Sequence, residues 1–338
     1  MKLPTPRKLP SGSWYVRVQT KDGVVNITCK TEKECIARAA AVKAGLADEK
    51  KNGLTVSKAI DKYIEGRQNV LSPSTIRGYR CIQRTRLQSM MEKRIDSVTQ
   101  EQWQRAVNAE AKLCNAKTLQ NAWRFMAGVI ADQTGKRLTV RLPQVIQNDL
   151  PFIAPDDIPE FLACAKGDSQ EIAVLLGLSG LRRSEILNVR WEDIDTANGR
   201  IYVRGSAVQD DNNVLIHKNE NKNQSSRRVV PFMLPQLKEA VEVADRSGEY
   251  VVTCYPTTIA KAVTRICDRA KIGRVSPHGL RRSFASLCYH LGVPEHVCMK
   301  AGGWSDIYTM RKIYTKISEA DMNKHGEMIE DFFKSVMK

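Results

Sequence analysis

Residues 276–283 read Ser-Pro-His-Gly-Leu-Arg-Arg-Ser, and this stretch constrains both the fold and the function. Ser276 is a good helix cap and Pro277 is favoured at the first helical position, so a helix is predicted to begin here. Residues three apart share one face of a helix, which places His278 beside Arg281. A lone His-x-x-Arg pair is most often structural, but its position at a helix start favours a functional site.

A second stretch, residues 180–185, reads Gly-Leu-Arg-Arg-Ser-Glu and separates two apolar helical segments, 172–178 and 186–189. Gly180 permits a sharp turn, which would point Arg182 away from the core at the start of the second helix. Arginines at helix starts are usually surface residues. This stretch therefore becomes informative only together with the other motifs.

A third stretch, residues 301–316, reads Ala-Gly-Gly-Trp-Ser-Asp-Ile-Tyr-Thr-Met-Arg-Lys-Ile-Tyr-Thr-Lys. With these motifs the sequence resembles the tyrosine recombinases. That family carries an arginine in a Gly-Leu-Arg-x-x-Glu setting, a lysine on a β-hairpin, a His-x-Leu-Arg helix, a His or Trp after paired small residues, and a tyrosine near the C-terminus. All five elements occur here in that order, within residues 150–320.

The resemblance implies a site that works without a metal ion, a cofactor or ATP. The implied catalytic residues are Arg182, Lys222, His278, Arg281, Trp304 and the nucleophile Tyr314, with Glu185 supporting the arginine or histidine region. The arginines would bind phosphate oxygens and the tryptophan would add an indole N–H donor. The histidine would accept the tyrosine proton and the lysine would protonate the leaving 5′ oxygen, giving a 3′-phosphotyrosine intermediate.

Three of these assignments have alternatives. Asn223 stands where the family usually has threonine after the lysine, so Lys218 is the alternative general acid. Tyr308 lies six residues before the proposed nucleophile, and we expect it to be buried and structural. A plain helix-surface carboxylate is the alternative for Glu185.

Composition favours a nucleic-acid partner. The chain has 338 residues and a formal net charge of +16, from 53 Lys+Arg against 37 Asp+Glu, so its field would attract polyanions. Nine cysteines without a C-x-x-C pair indicate no disulfide framework and favour a reducing compartment. No signal peptide or membrane-spanning run is evident, so we expect a cytoplasmic protein, nucleoid-associated when DNA-bound.

The predicted fold is mainly α with small β-sheets, an α+β class of two or three domains. Residues 1–50 predict a three-stranded sheet plus a helix, which resembles an arm-type DNA-binding module. Residues 54–135 predict four helices and resemble the family's core-binding (SAM-like) domain. Residues 136–150 are interpreted as an exposed basic linker, and residues 151–338 as the catalytic domain with a C-terminal tail helix.

Basic side chains outside the motifs are candidates for DNA contact, although a solvated helix face is the commoner meaning of such runs. The candidates are Arg17, Lys21, Arg77, Arg80, Arg84, Arg86, Arg137 and Arg141. In the tail, Ile329, Phe332, Phe333 and Val336 form one apolar helix face. We expect that face to dock on a neighbouring protomer, its alternative being packing on its own domain.

The resemblance implies a site-specific recombinase, or integrase, that integrates or excises a mobile element or phage genome. Its partners would be double-stranded DNA with core and arm-type sites, three further protomers in a tetramer on paired sites, and accessory directionality or bending factors. The alternatives are a nicking and resealing enzyme like the type IB topoisomerases, and a non-catalytic DNA-binding relative.

Overall fold

The computed structural model describes residues 4–20, 23–43, 54–146, 151–218, 227–314 and 319–337. Helices predominate, and the described residues also form three small antiparallel sheets. This confirms the predicted fold class. The chain divides into two compact units, Met1–Ser72 with Gly78–Ile146, and Pro73–Arg77 with Gln147–Lys338. None of the helices in these ranges is long and apolar enough to cross a membrane.

The N-terminal segment is a three-stranded sheet backed by one helix. Strands β1 (Arg7–Lys8), β2 (Trp14–Thr20) and β3 (Gly23–Cys29) are antiparallel in that order, and α1 (Glu32–Lys43) follows. Alternation along a strand turns Val16 and Val18 towards the helix and Arg17 towards solvent. Thr31 Oγ1 accepts the backbone N–H of Glu34 at 3.3 Å and caps the start of α1.

Residues 54–135 form the four predicted helices. They are α2 (Val56–Glu65), α3 (Pro73–Thr85), α4 (Gln100–Glu110) and α5 (Ala116–Thr134), with a 3-10 turn at Gln88–Met90. One apolar face of these helices is buried and includes Ile60, Trp103, Leu119 and Met126, each 0% exposed. Side-chain caps from Thr55, Thr99 and Asn115 fix three of the helix starts.

The basic linker is less free than predicted. Residues 136–146 have no regular secondary structure, but the backbone N–H of Arg141 donates to Gln104 Oε1 at 2.7 Å. Gln120 Nε2 donates to the carbonyl of Pro143 at 3.1 Å, and Val140 is 9% exposed. The segment is therefore bound along α4 and α5, because its backbone polar groups find partners there. Residues 147–150 lie outside the described ranges.

The second unit contains nine helices and five strands within its described residues. The helices are α6 (Ile158–Ala165), α7 (Glu171–Leu178), α8 (Arg183–Ile186), α9 (Pro235–Glu242), α10 (Pro256–Arg269), α11 (Pro277–His290), α12 (Glu295–Gly302), α13 (Ile307–Tyr314) and α14 (Glu319–Val336), with 3-10 turns at Pro155–Asp157 and Trp191–Asp193. The strands are β4 (Ile194–Asp195), β5 (Arg200–Val203), β6 (Ser206–Gln209), β7 (Leu215–Lys218) and β8 (Arg228–Pro231).

Two sheets arise from these strands. The first has the order β4-β5-β8, in which β5 and β8 pair antiparallel. The second is a hairpin of β6 and β7 that the sequence analysis did not predict. A turn at residues 210–214 closes this hairpin and places Asn213 at a positive φ of 63°.

Two apolar clusters hold the helices of this unit together, and the larger one contains the buried apolar side chains of α7 and Leu280 of α11. Helix α7 is buried along its length, and Gly177 brings it so close to α11 that an added Cβ would lie 3.0 Å from Leu280 Cδ1. A smaller cluster joins α11, α12 and α13 through Phe284, Cys288, Cys298, Ala301 and Met310. This cluster sets the position of α13, and with it the backbone of the helix that ends at Tyr314.

The tail forms the predicted helix, α14, and its apolar face is uncovered in the single chain. The exposed fractions are 60% for Ile329, 61% for Phe332, 56% for Phe333 and 65% for Val336. The two phenylalanine rings contact each other edge to face at 5.7 Å. The alternative that this face packs on its own domain is therefore wrong for this chain in isolation.

Candidate active site

The site is built on the sharp turn between α7 and α8. Gly180 has a φ of 91°, and a Cβ at this position would lie 2.8 Å from Phe284 Cδ1. Only glycine accepts both the dihedral angle and the contact. Arg182 follows in extended conformation immediately before α8, so its side chain projects beside the helix start and remains 33% exposed.

Arg182 is held by Glu185, one turn into the helix. Glu185 Oε2 accepts the backbone N–H of Arg182 at 2.8 Å, and Oε1 accepts its Nη1 at 2.6 Å. Arg182 Nη2 donates to the carbonyl of Gly303 at 2.6 Å. With an exposed fraction of 2%, Glu185 is not the helix-surface carboxylate of the alternative interpretation.

A third residue, Arg228, was not singled out by the sequence analysis. It lies on β8 with its side chain 3% exposed, and its Nη1 and Nη2 donate to the two oxygens of Glu185 at 3.1 and 2.9 Å. Burial alone would raise the pKa of Glu185, but the hydrogen bond and charge of Arg228, followed by the charge of Arg182, keep it below its ordinary value. Glu185 is therefore a carboxylate at neutral pH.

Arg281 is the most deeply buried cation of the site, with 1% of the residue exposed. Its Nη1 donates to the carbonyl of Gly180 at 2.5 Å and to that of Gly302. Its Nε and Nη2 are buried and have no hydrogen-bond partner among the described residues. Burial, then the charge of Arg182, lowers the pKa of Arg281 to about 9, so the guanidinium stays charged at neutral pH with two donors unused.

Trp304 covers this guanidinium. The centre of its ring lies 3.9 Å from Arg281 Cζ, within the range of a cation–π contact. The indole also lies parallel to the ring of Phe284, with the two centres 6.3 Å apart. The tryptophan therefore stacks on the arginine in this conformation, whereas the sequence analysis expected it to act as an N–H donor.

His278 lies in the first turn of α11 as predicted, after the cap Ser276, whose Oγ accepts the backbone N–H of Gly279 at 3.1 Å. The residue as a whole is exposed. Desolvation of its imidazole nevertheless lowers its pKa to about 4, with the charges of Arg282, Arg281 and Arg182 acting in the same direction. At neutral pH the ring is uncharged and able to accept a proton.

Helix α13 carries both candidate tyrosines, and the exposure of one of them, Tyr308, differs from the prediction. Tyr314 is the last residue of the helix, and its side chain lies outside the part of the structure described. Tyr308 is 70% exposed, so the prediction that it is buried is wrong. Successive helical residues are turned by about 100°, and Met310, 0% exposed, occupies the inward position instead.

Only one of the two lysine candidates for the general acid lies within the described residues. Lys218 ends β7 and is half-buried, whereas Lys222 falls within residues 219–226, outside the described ranges. The described residues contain no group of three or more His, Cys, Asp or Glu side chains arranged to hold a metal ion.

Two of the candidate DNA contacts are paired within the helical bundle, and most of the others are exposed. Arg80 pairs with Asp61, and Arg86, which lies just beyond the end of α3, pairs with Glu110 at 3.3 Å. These pairs give both arginines a structural role within the bundle. Exposed positions are occupied by Arg17, Arg84, Arg137 and Arg141, Arg77 is half-buried on α3, and Lys21 lies outside the described residues.

Comparison with known proteins relates this site to one family. The model of the phage integrase family matches residues 151–321, half of the chain. Tyrosine recombinase XerA of Thermococcus onnurineus is 32% identical over 168 residues, covering 46% of this chain and 53% of that protein. The integrase of Salmonella phage P22 is 21% identical over 201 residues, covering 57% of this chain and 51% of the phage protein. The chain thus spans about half the length of the curated relatives it matches.

Solved structures share the fold at low identity. The Tn1549 transposon integrase in complex with a circular intermediate DNA superposes with a TM-score of 0.61 at 18% identity, over 81% of this chain and 99% of that one. A lambda integrase dimer bound to a COC′ core site gives 0.60 at 13% identity, over 94% and 98%. From the family match over residues 151–321, the chain belongs to the phage integrase family of tyrosine recombinases.

Proposed function

We propose that this protein is a site-specific DNA recombinase that cleaves and rejoins strands through a 3′-phosphotyrosine intermediate. One observation carries the proposal: the guanidinium groups of Arg182, Arg228 and Arg281 converge on the Gly180 and Gly302–Gly303 turns with a single carboxylate among them. The excess positive charge suits a phosphodiester whose charge increases in the transition state.

Two of these arginines would bind the phosphate. Arg182 is one-third exposed, and Arg281 has two donors that no described residue uses. An unpaired buried donor costs free energy, and a non-bridging phosphate oxygen would remove that cost through a charge-assisted hydrogen bond. Since Nε and Nη2 of Arg281 are buried in the free chain, the residues around them must shift before the phosphate can reach these donors.

The proton transfers follow from the same geometry. Tyr314 is the proposed nucleophile, and a phenol with a pKa of about 10 needs a proton acceptor and nearby cations at neutral pH. His278 is uncharged at neutral pH and is the proposed acceptor of that proton. The covalent phosphotyrosine conserves the phosphodiester energy, so a 5′-hydroxyl of another strand can reverse the step and be joined without ATP.

Lys222 is the proposed general acid for the leaving 5′ oxygen, and Lys218 is the alternative. If Lys222 has this role, a substrate whose 5′ leaving group needs no proton will restore cleavage by Lys222→Ala. Rescue of Lys218→Ala alone would transfer the role to Lys218 on β7.

We propose further that the protein acts as a tetramer on paired double-stranded sites, integrating or excising a mobile element. The related lambda integrase has been seen as a tetramer bound to a Holliday junction. In this chain the uncovered face of α14 would dock on the neighbouring protomer, and the N-terminal sheet, with Arg17 exposed, would contact arm-type sites. Directionality or bending factors would act on this assembly, which would associate with the nucleoid.

A nicked suicide substrate tests the proposal directly. The purified protein, without metal or ATP, should become covalently joined to the 3′ end of the cut strand and should transfer it to a second duplex. Covalent attachment with relaxation of supercoils but no exchange between two duplexes would favour a topoisomerase-like enzyme. Specific binding without attachment would indicate a non-catalytic DNA-binding protein.

A further inference from the structure

We infer that Arg228 is a positioning residue for cleavage, which fixes Arg182 through Glu185 and joins the two glycine turns on which Arg281 is anchored. The inference rests on the proposed function, since cleavage is the activity that the positioning serves. It assigns a role to a buried arginine that takes no part in the proposed proton transfers.

The contacts of Arg228 reach every part of the arginine cluster. Its Nη1 and Nη2 bind the two oxygens of Glu185 side by side, and those same oxygens hold the backbone and side chain of Arg182. Its Nε donates to the carbonyl of Ala301 at 2.6 Å, and Nη2 reaches the carbonyl of Gly180 at 3.5 Å. One guanidinium thus joins the turn before α8 to the end of α12.

The fit around this side chain is close. Gly303 has a φ of 68°, and a Cβ added there would lie 2.8 Å from Arg228 Nη1. The neighbouring carbonyl groups of Gly302 and Gly303 accept from Arg281 and Arg182. Moving Arg228 would therefore release the segment that anchors both phosphate-binding arginines. A displacement of about 1 Å at a reacting centre costs on the order of 100-fold in rate.

Arg228 also determines the charge state of Glu185. The cations facing this carboxylate are Arg182 before α8, Arg228 on β8 and Arg281 on α11. Burial opposes its ionisation, and Arg228 supplies the largest favourable contribution. Without Arg228 this contribution is lost, so the pKa of Glu185 rises, and a protonated Glu185 would have less acceptor capacity for Arg182. A purely structural ion pair elsewhere in the unit would have no such effect on the reaction.

The matched control is a second buried carboxylate with two arginine partners. Asp168 has a side-chain exposure of 2% and binds Arg265 and Arg269 at 2.7 Å each, and within the described residues its side chain has no hydrogen bond to the arginine cluster. Arg265→Met therefore removes one arginine partner from an equally buried carboxylate of the same unit, although Arg265 itself is 48% exposed. It should change stability without changing the pH dependence of cleavage.

The experiment compares wild type, Arg228→Met, Arg228→Lys and Arg265→Met in the full-length protein. Two quantities are measured, the Kd for a half-site duplex and the single-turnover rate of covalent attachment to the nicked substrate. The rate is followed from about pH 5 to 8, because buried carboxyls with raised pKa values titrate in this range. For Arg228→Met we expect a Kd within about threefold and a rate lowered about 100-fold, as for a 1 Å displacement. Its residual rate should rise with pH as Glu185 ionises.

Arg228→Lys provides a second test in case Arg228→Met fails to fold. It keeps the charge, but an ammonium cannot bind both oxygens of Glu185 and the carbonyl of Ala301 as a planar fork does. We expect half-site binding with a rate at least tenfold below wild type. Wild-type rates in Arg228→Lys, or a pH profile of Arg228→Met parallel to that of Arg265→Met, would overturn the inference. If wild type itself forms no covalent complex, the proposed function fails first and the inference with it.

Discussion

Replacing Gly180 with alanine tests the turn on which the site is built. Alanine at a φ of 91° incurs a backbone penalty of about 1–2 kcal/mol. The added Cβ would lie 2.8 Å from Phe284 Cδ1, and overpacking of a core contact costs about 1–3 kcal/mol. The reduced freedom of the unfolded chain returns about 0.4–1 kcal/mol. We therefore expect the free energy of unfolding to fall by about 1–5 kcal/mol.

Urea denaturation of the full chain measures this change, with Gly273→Ala as the matched control. Gly273 has no neighbour within 4 Å of its would-be Cβ and no positive φ, so its replacement should leave the unfolding free energy within about 0.5 kcal/mol. Adding Phe284→Leu to Gly180→Ala should recover the part caused by overpacking and leave the backbone part, giving a measurable coupling energy. Wild-type stability in Gly180→Ala would refute the reasoning.

Three further predictions concern the charged groups and the tail. Arg182→Lys should form covalent complex at least 100-fold more slowly although its charge is kept, because the planar fork that binds Glu185 and Gly303 is lost; near-wild-type cleavage would contradict this. The His278 imidazole of the free protein should titrate near pH 4 by NMR and stay neutral at pH 6, because its pKa is lowered. His278→Gln identifies its resonance, and a midpoint near 6.5 would oppose the role of His278 as a neutral proton acceptor. Deleting residues 326–338 should preserve binding to one half-site but abolish cooperative assembly, and unchanged cooperativity would exclude docking through α14.

The sequence predicted the local structure of the candidate site where short-range rules decide the conformation. Ser276 and Pro277 identify the start of α11 because capping and proline preferences act over a few residues. Gly180 likewise indicates a turn that only glycine adopts. The helices of residues 54–135 were found because their apolar residues recur with helical periodicity.

The sequence did not predict the burial of Arg228, because both possible faces of β8 carry a valine. Arg228 and Val230 face inward, opposite Val203 and Ile201 of β5, while Val229 is 45% exposed. Pairing with β5 decides which face is buried, and that choice depends on residues far along the chain.

Two other differences have similar causes. The β6–β7 hairpin lacks a strong apolar alternation, and its strands Ser206–Gln209 and Leu215–Lys218 are mostly half-buried, so the sequence pattern is weak. Tyr308 is aromatic and lies on a short helix, which favoured a buried interpretation. The contact of α13 with α11 and α12 is instead made by Met310, and Arg311 bonds Glu295 at 3.0 and 2.9 Å on an exposed side.

The assignment of the nucleophile is tested most directly by comparing Tyr314→Phe with Tyr308→Phe on the nicked suicide substrate. Loss of the phenolic oxygen at Tyr314 should abolish the covalent protein–DNA complex while the Kd for the half-site stays within about threefold, because only the attacking atom is removed. Tyr308→Phe, altered on an exposed ring, should form the complex at the wild-type rate. A complex that persists in Tyr314→Phe and disappears in Tyr308→Phe would contradict the account.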